Sequence, residues 1–175
     1  MRFGKKLAVV AAAAAIALSA VPAMAVVEIK FGHTGSLEHQ YQIGAEQFKK
    51  LVEAESKGEI KVNIFPQAQL GGERDLAEGV RMGTIEIASV AAGNLAGFVP
   101  ELQLFGIPFL FPTAKQVYTV LDGEVGKDIA AIMASKGFVS LAFWEVGFRN
   151  MTNNTRPIKT PEDMKGLKIR VQESK

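Results

Sequence analysis

Residues 26–66 have the sequence VVEIKFGHTGSLEHQYQIGAEQFKKLVEAESKGEIKVNIFP, and this stretch decides the fold. Apolar and polar residues alternate over residues 26–31 and again over residues 60–65, which is typical of β-strands. Between them, residues 38–55 carry apolar side chains at helical spacing, and Gly58 marks the end of the helix. Because two parallel strands need a long crossover, the sequence predicts a right-handed βαβ unit.

The alternating and helical patterns of apolar residues continue towards the C-terminus. Thr160-Pro161-Glu162-Asp163 has the signature of a helix start, with a threonine cap and proline at the first position. Residues 91–112, rich in Gly, Pro and Phe, follow neither period, and we expect residues 104–111 to pack as irregular core or as a crossover. The remaining predicted elements are helices at 74–82, 114–121 and 125–136, and strands at 84–90, 138–144 and 167–171. The fold class is α/β with a mostly parallel sheet.

The N-terminal residues have the features of a secretory signal peptide. Arg2, Lys5 and Lys6 precede an apolar run, and residues 23–25 match the small-residue pattern of a cleavage site. The apolar run is shorter than the ~20 residues that span a bilayer, which disfavours a membrane anchor. We therefore expect residues 1–25 to be cleaved on export to the periplasm.

The charge balance excludes some classes of partner. The chain has 20 basic and 18 acidic residues, and three of the basic ones lie in residues 1–25, so 17 and 18 remain, a net charge of −1. This balance indicates neither nucleic acid nor an anionic membrane surface as a partner. The chain has no cysteine, so neither a disulfide nor a cysteine nucleophile is available. The remaining ~150 residues are enough for one domain.

Candidate binding residues follow the predicted strands. In open parallel sheets, ligands bind beyond the carboxyl ends of the strands. This rule selects Thr34 after the first strand, Glu73 after the second, Asn94 after the third, and Arg149 after the strand at 138–144. Neighbouring glycines would let a ligand approach the backbone. The set is small and polar, which favours binding over catalysis.

Some candidate residues, among them Arg170 in the last predicted strand, also have a purely structural interpretation. Glu73 fits the first turn of a helix, where the helix dipole favours an acid. Asn94 fits a loop, where asparagine tolerates turn geometry. Arg170 alternates with apolar neighbours, so periodicity alone predicts a solvent-facing strand residue.

Signatures of enzymes and metal sites are missing from the sequence. No G-x-S-x-G motif is present, and the scattered carboxylates cannot be paired as acid and base from sequence alone. The two histidines, His33 and His39, are six residues apart, which does not place them on one helical face. We therefore expect neither catalytic residues, nor a metal, nor a cofactor.

Several segments carry a resemblance to a known family. They are FGH at 31–33, FPQAQLGGER at 65–74, PFLF at 108–111, GFRNMTN at 147–153 and RPIKTPEDMKGLKIRV at 156–171. Over residues 26–175 the chain resembles the N-terminal half of the substrate-binding proteins of tripartite ATP-independent periplasmic (TRAP) transporters, the dicarboxylate-binding family. Members of that family are longer, so the resemblance implies a partial sequence.

The resemblance implies a two-domain fold like that of periplasmic binding proteins, with mostly parallel sheets and the ligand in the cleft between the domains. The fold is incomplete here, with residues 26–145 forming most of the first domain and residues 146–175 the start of the second. The implied function is capture of an organic-acid anion, such as a C4-dicarboxylate, and its delivery to the small and large membrane subunits. A ligand-sensing protein that feeds a signalling partner is an alternative, and an exported hydrolase is a weaker one.

The resemblance also implies roles for particular residues. Arg170, in the GLKIR motif, would pair with the carboxylate of the ligand, and Arg149, in the GFR motif, would assist it. Thr34, Glu73 and Asn94 fall where other members place ligand contacts. Since these loops vary with substrate, the resemblance implies the roles of Thr34, Glu73 and Asn94 less strongly than those of the two arginines.

Overall fold

The computed structural model describes residues 25–147 and 150–171. The predicted signal peptide, apart from Ala25, lies outside these residues, as does Arg149. Among the described residues no helix has the length and apolar content needed to span a bilayer. In chain order the elements are β1 (Val27–His33), α1 (Gln40–Glu55), β2 (Ile60–Phe65), α2 (Glu73–Met82), β3 (Ile87–Ser89), α3 (Ala92–Leu95), a 3-10 helix (Pro100–Gly106), α4 (Ala114–Leu121), α5 (Glu124–Ser135) and a second 3-10 helix (Pro161–Met164).

The described sheet has three parallel strands in the order β2-β1-β3. The predicted βαβ unit of β1, α1 and β2 is therefore confirmed. Phe31 of β1 packs edge-on against Phe48 of α1, with ring centroids 5.7 Å apart. The next residue, Gly32, lies against Leu76 of α2. Because consecutive strand residues point to opposite faces, α1 and α2 cover opposite faces of the sheet.

Gly32 permits a close approach between β1 and α2. A Cβ atom built at Gly32 would lie 2.6 Å from Cδ2 of Leu76, and the Leu76 side chain is fully buried, at 0% exposure. The first turn of α2 is therefore held directly against the central strand. This contact lies one helical turn from Glu73.

Two apolar clusters stabilise the fold. Phe31, Ala45 and Val62 form the cluster under α1. The second lies on the α2 side and comprises Ala77, Val99, Leu102, Ile129, Met133 and Phe138. Of the two alternatives for residues 104–111, irregular core is wrong for most of them, because Phe109 is 96% exposed and Ile107 is 51% exposed, although Phe105 packs against the second cluster. Val99 and Leu102, from the preceding part of the same segment, enter the core instead.

Three predicted strands differ from the structure. Residues 138–144 and 167–171 have no strand pairing, although their apolar residues alternate. A strand needs a neighbour for its backbone N–H and C=O groups, and periodicity carries no information about whether that neighbour is present. The predicted strand at 84–90 shortens to β3 because the N–H groups of Thr84 and Ile85 bond to the carbonyl of Gly79 at the end of α2.

Candidate functional site

The loops that follow the three strands meet at the carboxylate of Glu73. Its Oε1 accepts a hydrogen bond from the hydroxyl of Thr34 at 3.1 Å. Its Oε2 accepts two more, from the backbone N–H of Ala91 at 2.8 Å and from Nδ2 of Asn94 at 2.6 Å. We call Thr34, Glu73, Ala91 and Asn94 the Glu73 corner. All four residues are half-buried.

The Glu73 corner lies where the connections of the sheet change direction. From β1 the chain leads to β2 on one side, and from β2 it returns past β1 to β3 on the other side. Thr34 follows β1, and Ala91 and Asn94 follow β3. In open α/β sheets, ligands bind beyond the carboxyl ends of the strands at such a reversal. The topology and the convergent polar groups therefore indicate the same place for a binding site.

Glu73 is held opposite Thr34 by backbone hydrogen bonds and by the start of α2. The loop before α2 is tied to the loop after β1, because N–H groups of Gln67 and Ala68 bond to the carbonyls of Gly35 and His33 at 3.0 and 3.1 Å. At the start of α2, the Asp75 carboxylate accepts the N–H of Gly72 at 2.8 Å. Such a side-chain bond to a free N–H stabilises the first turn of a helix.

His33 and His39, the candidate metal pair that the spacing disfavoured, have separate structural roles. His33 is fully buried, at 0% exposure, and its Nε2 lies 2.9 Å from Oε1 of Gln42. The amide of Gln42 donates to Glu46, so its oxygen must accept, and His33 therefore carries its proton on Nε2. His39 precedes α1, and its Nδ1 accepts the N–H of Tyr41 at 3.1 Å. Among the described residues no group of three possible ligands could hold a metal ion.

Burial lowers the pKa of His33 from its ordinary value of 6.5. Loss of hydration is the main cause, the hydrogen bond that His33 donates to Gln42 acts in the opposite direction, and the charge of His39 lowers the pKa further. Nδ1 has no hydrogen-bond partner within the described residues, so a proton added there would be buried without an acceptor. The folded protein therefore favours the neutral imidazole.

This preference predicts a pH dependence of stability. Because the unfolded chain takes up a proton on His33 more readily than the folded chain, the contribution of His33 to stability is complete above pH 6.5 and is lost progressively below it. Urea unfolding of the full-length protein between about pH 7.5 and about pH 5 should show this fall. The His33→Gln variant should show a shallower fall over the same range, and an unchanged slope would contradict the assignment.

The structure describes one of the two arginines that the family resemblance singled out. Arg149 lies outside the described residues. Arg170 is exposed, in a segment without helix or strand, and no hydrogen bond or ion pair among the described residues links it to Glu73. The structure therefore brings together the three weaker candidates, Thr34, Glu73 and Asn94. The roles of both arginines stay predictions.

The segment leading to Arg170 is nevertheless locally ordered. Thr160 begins the second 3-10 helix as predicted, and Oδ2 of Asp163 accepts the N–H groups of Lys159 and Thr160, each at 2.9 Å. These bonds hold the pKa of the Asp163 carboxyl below its usual range, and the Thr160 hydroxyl contributes in the same direction. The guanidinium of Arg156 donates to the carbonyls of Asp163 and Lys165. The turn just before residues 167–171 is thus stabilised by its own side chains.

One member of the Glu73 corner, Ala91, lies in the loop that the strand-end rule selects, but sequence reasoning did not single it out as a binding residue. Ala91 contributes a backbone N–H, and no side-chain pattern distinguishes a backbone donor that will contact a distant carboxylate. The only available signal was position, because Ala91 lies immediately after a predicted strand, where free N–H groups are expected.

A parallel α/β sheet with polar side chains gathered beyond its strand ends is an architecture that binding proteins share with many α/β enzymes, so the family decides between these classes. The model for "bacterial extracellular solute-binding protein, family 7" matches residues 31–175. The chain belongs to this family of TRAP solute-binding proteins.

Relatives with known ligands extend the comparison. The chain is 38% identical over 161 residues to the 2,3-diketo-L-gulonate-binding periplasmic protein YiaO of Escherichia coli K12, covering 92% of this chain and 49% of the relative. It also superposes on TRAP periplasmic solute binding proteins from Polaromonas sp. JS666, bound to D-erythronate (TM-score 0.81, 39% identity, 85% of this chain and 49% of that one), and from Sulfurospirillum deleyianum, bound to succinate (TM-score 0.81, 37% identity, 86% and 48%). The chain spans about half the length of the relatives it matches.

Proposed function

We propose that this chain is the N-terminal half of a periplasmic solute-binding protein that captures an organic-acid anion and delivers it to the membrane subunits of a TRAP transporter. The observation that carries the proposal is the Glu73 corner, a set of fixed polar groups at the direction reversal of a parallel sheet. Family membership supports it, since solved relatives hold D-erythronate and succinate. In the proposed division, residues 26–145 build the first wall of the cleft and residues 146–175 begin the second.

In this proposal the two arginines bind the carboxylate of the ligand. A guanidinium group presents a planar pair of N–H donors that matches a carboxylate and stays charged at every working pH. Arg170 is exposed and follows a turn held by Arg156 and Asp163, so its side chain is free to meet a ligand. Arg149 would add a second cation.

The alternatives of a ligand sensor and an exported hydrolase rest on no feature of the described structure. A sensor would use the same ligand site, so only its protein partner would differ. A hydrolase would need a nucleophile, or an acid and base, at the site. The Glu73 corner offers one carboxylate that is already hydrogen-bonded by Thr34, Ala91 and Asn94.

A thermal-shift panel of organic acids on the full-length protein tests the proposed function. A bound acid at about 100 times its dissociation constant should add about 2.7 kcal/mol of stability and raise the melting temperature. Neutral polyols of the same size serve as controls and should give no shift, because they lack the carboxylate that the arginines require. The absence of a shift with every carboxylate in the panel would contradict the proposal.

A further inference from the structure

We infer that Trp144 is a positioning residue, whose indole ring lies on the backbone of Gly44 in α1 and fixes the point at which the chain leaves the first wall for the second. The inference rests on the proposed function and goes further, because it assigns part of the ligand affinity to two residues that are not members of the Glu73 corner. Trp144 is the next-to-last residue of the proposed first wall, which spans residues 26–145.

Gly44 lies in the interior of α1, where glycine is an unfavourable residue. Glycine loses more conformational freedom on folding than alanine does, so a helix that contains it is less stable. An interior helix glycine is therefore expected to have a packing reason. The reason here is the indole of Trp144, because a Cβ atom built at Gly44 would lie 2.6 Å from Cη2, 2.9 Å from Cζ3 and 3.0 Å from Cζ2 of that ring. A methyl group at this position would have to displace the indole.

Two further aromatic rings hold the indole of Trp144. Its centroid lies 6.3 Å from that of Phe31 in β1 and 6.4 Å from that of Tyr41 in α1. Both partners belong to the buried core. Aromatic pairs at these separations add to the stabilisation that comes from buried area alone. Trp144 is therefore attached both to the central strand and to the helix that covers it.

The residues on either side of Trp144 are attached to other parts of the first wall. Phe143 packs against the second apolar cluster. The carbonyl of Glu145 accepts a hydrogen bond from the side-chain amide of Gln40 in α1, and its carboxylate accepts one from the hydroxyl of Tyr118 in α4. Three consecutive residues thus contact both apolar clusters and two helices, and the position of this segment is fixed by side chains.

The position of this segment matters for binding because the proposed second wall begins directly after it. Arg170, the proposed partner of the ligand carboxylate, belongs to that second wall. Hydrogen bonds between a guanidinium and a carboxylate need distances of about 2.7–2.9 Å, so a small displacement of one wall relative to the other breaks them. Loss of the contact between Trp144 and Gly44 should therefore weaken ligand binding while the first wall stays folded.

Gly44→Ala in the full-length protein tests this inference, since alanine favours the helix and its methyl group meets the indole. Calorimetry uses the acid that gives the largest thermal shift in a panel containing D-erythronate, galactonate and succinate. Its affinity should fall by about tenfold. Gly106→Ala is the matched control, because it adds the same methyl group where nothing lies within 4 Å. This control should keep the wild-type affinity, and circular dichroism checks that both variants fold.

Variants of Trp144 distinguish positioning from a general loss of packing. Trp144→Ala should weaken binding of the same acid by about tenfold, and Trp144→Phe should recover most of the affinity, since a phenyl ring can also lie on Gly44. In the Trp144→Ala background, Gly44→Ala should lower the affinity no further, because the ring that it would displace is gone. The melting temperature of this double variant should exceed that of Trp144→Ala, since alanine then only stabilises α1.

Fluorescence shows directly whether the indole is displaced. The contribution of Trp144 is the difference between two emission spectra, recorded with and without the Trp144→Phe change. In Gly44→Ala the maximum of this difference spectrum should shift to longer wavelength, because the indole loses its contacts with Phe31 and Tyr41 and meets more water.

The outcomes separate the inference from the proposed function. Wild-type affinity in a folded Gly44→Ala variant overturns the inference and leaves the proposed function standing, and so does an unshifted emission maximum. If Gly44→Ala fails to fold, the variants of Trp144 decide, and equal affinity in Trp144→Ala and Trp144→Phe overturns the positioning role. Absence of binding by every carboxylate in the panel overturns the proposed function itself, and the inference with it.

Discussion

Replacement of Arg170 by alanine in the full-length protein is expected to weaken organic-acid binding by about 2–5 kcal/mol, or roughly 30- to 5,000-fold. Removing the guanidinium leaves the ligand carboxylate enclosed without its strongest partner, and that desolvation cost dominates the loss. Arg170→Lys should recover only part of the affinity, because an ammonium group keeps the charge but lacks the planar pair of donors.

The control for Arg170 is its neighbour Lys168. It is exposed in the same segment, and its replacement by alanine removes the same charge without changing the proposed contact. Calorimetric titration of the three variants measures the effect. Affinity near that of the wild type in Arg170→Ala would remove this residue from the site, and wild-type affinity in Arg170→Lys would exclude paired hydrogen bonds to the carboxylate.

The second large effect is expected in the core, where Leu76→Ala should lower the free energy of unfolding by about 2–5 kcal/mol. Leu76 is fully buried against Gly32, where a neighbouring Cβ would already be too close, so the surroundings are tightly packed and a cavity would remain. The change should also weaken ligand binding, because Leu76 holds the first turn of α2 and hence Glu73.

Met82→Ala is the control for Leu76→Ala, since Met82 lies in the same helix with 68% of its surface exposed. It should change the free energy of unfolding of the full-length protein, measured by urea denaturation, by less than about 0.5 kcal/mol, as is usual for exposed positions. A similar loss of free energy of unfolding in both variants would show that the contact between Leu76 of α2 and Gly32 of β1 does not stabilise the fold more than an exposed side chain does.

The elements predicted well from sequence are those with local signals. The β1-α1-β2 unit combines two alternating strands with a helical period and a glycine stop, and all of these depend on neighbouring residues alone. The strand-end rule then placed Thr34, Glu73 and Asn94 at one edge of the sheet without any knowledge of distances. Their convergence on one carboxylate follows from the parallel topology.

The predictions that were wrong depend on distant partners. Residues 138–144 alternate like a strand but have no described neighbour to pair with, and Phe138 packs into the α2-side cluster instead. The apolar residues at 104–111 look like core in isolation, yet Phe109 is exposed. The sequence could not decide whether Glu73 is an acid in the first turn of a helix or a binding residue. The structure shows that it begins α2 and also joins three loops.

The most direct measurement of the central claim is a crystal structure of the full-length protein with D-erythronate or galactonate bound. The proposed function predicts that the ligand contacts the Glu73 corner and that its carboxylate lies against Arg170. A ligand bound away from the Glu73 corner, or one whose carboxylate makes no contact with Arg170, would contradict it.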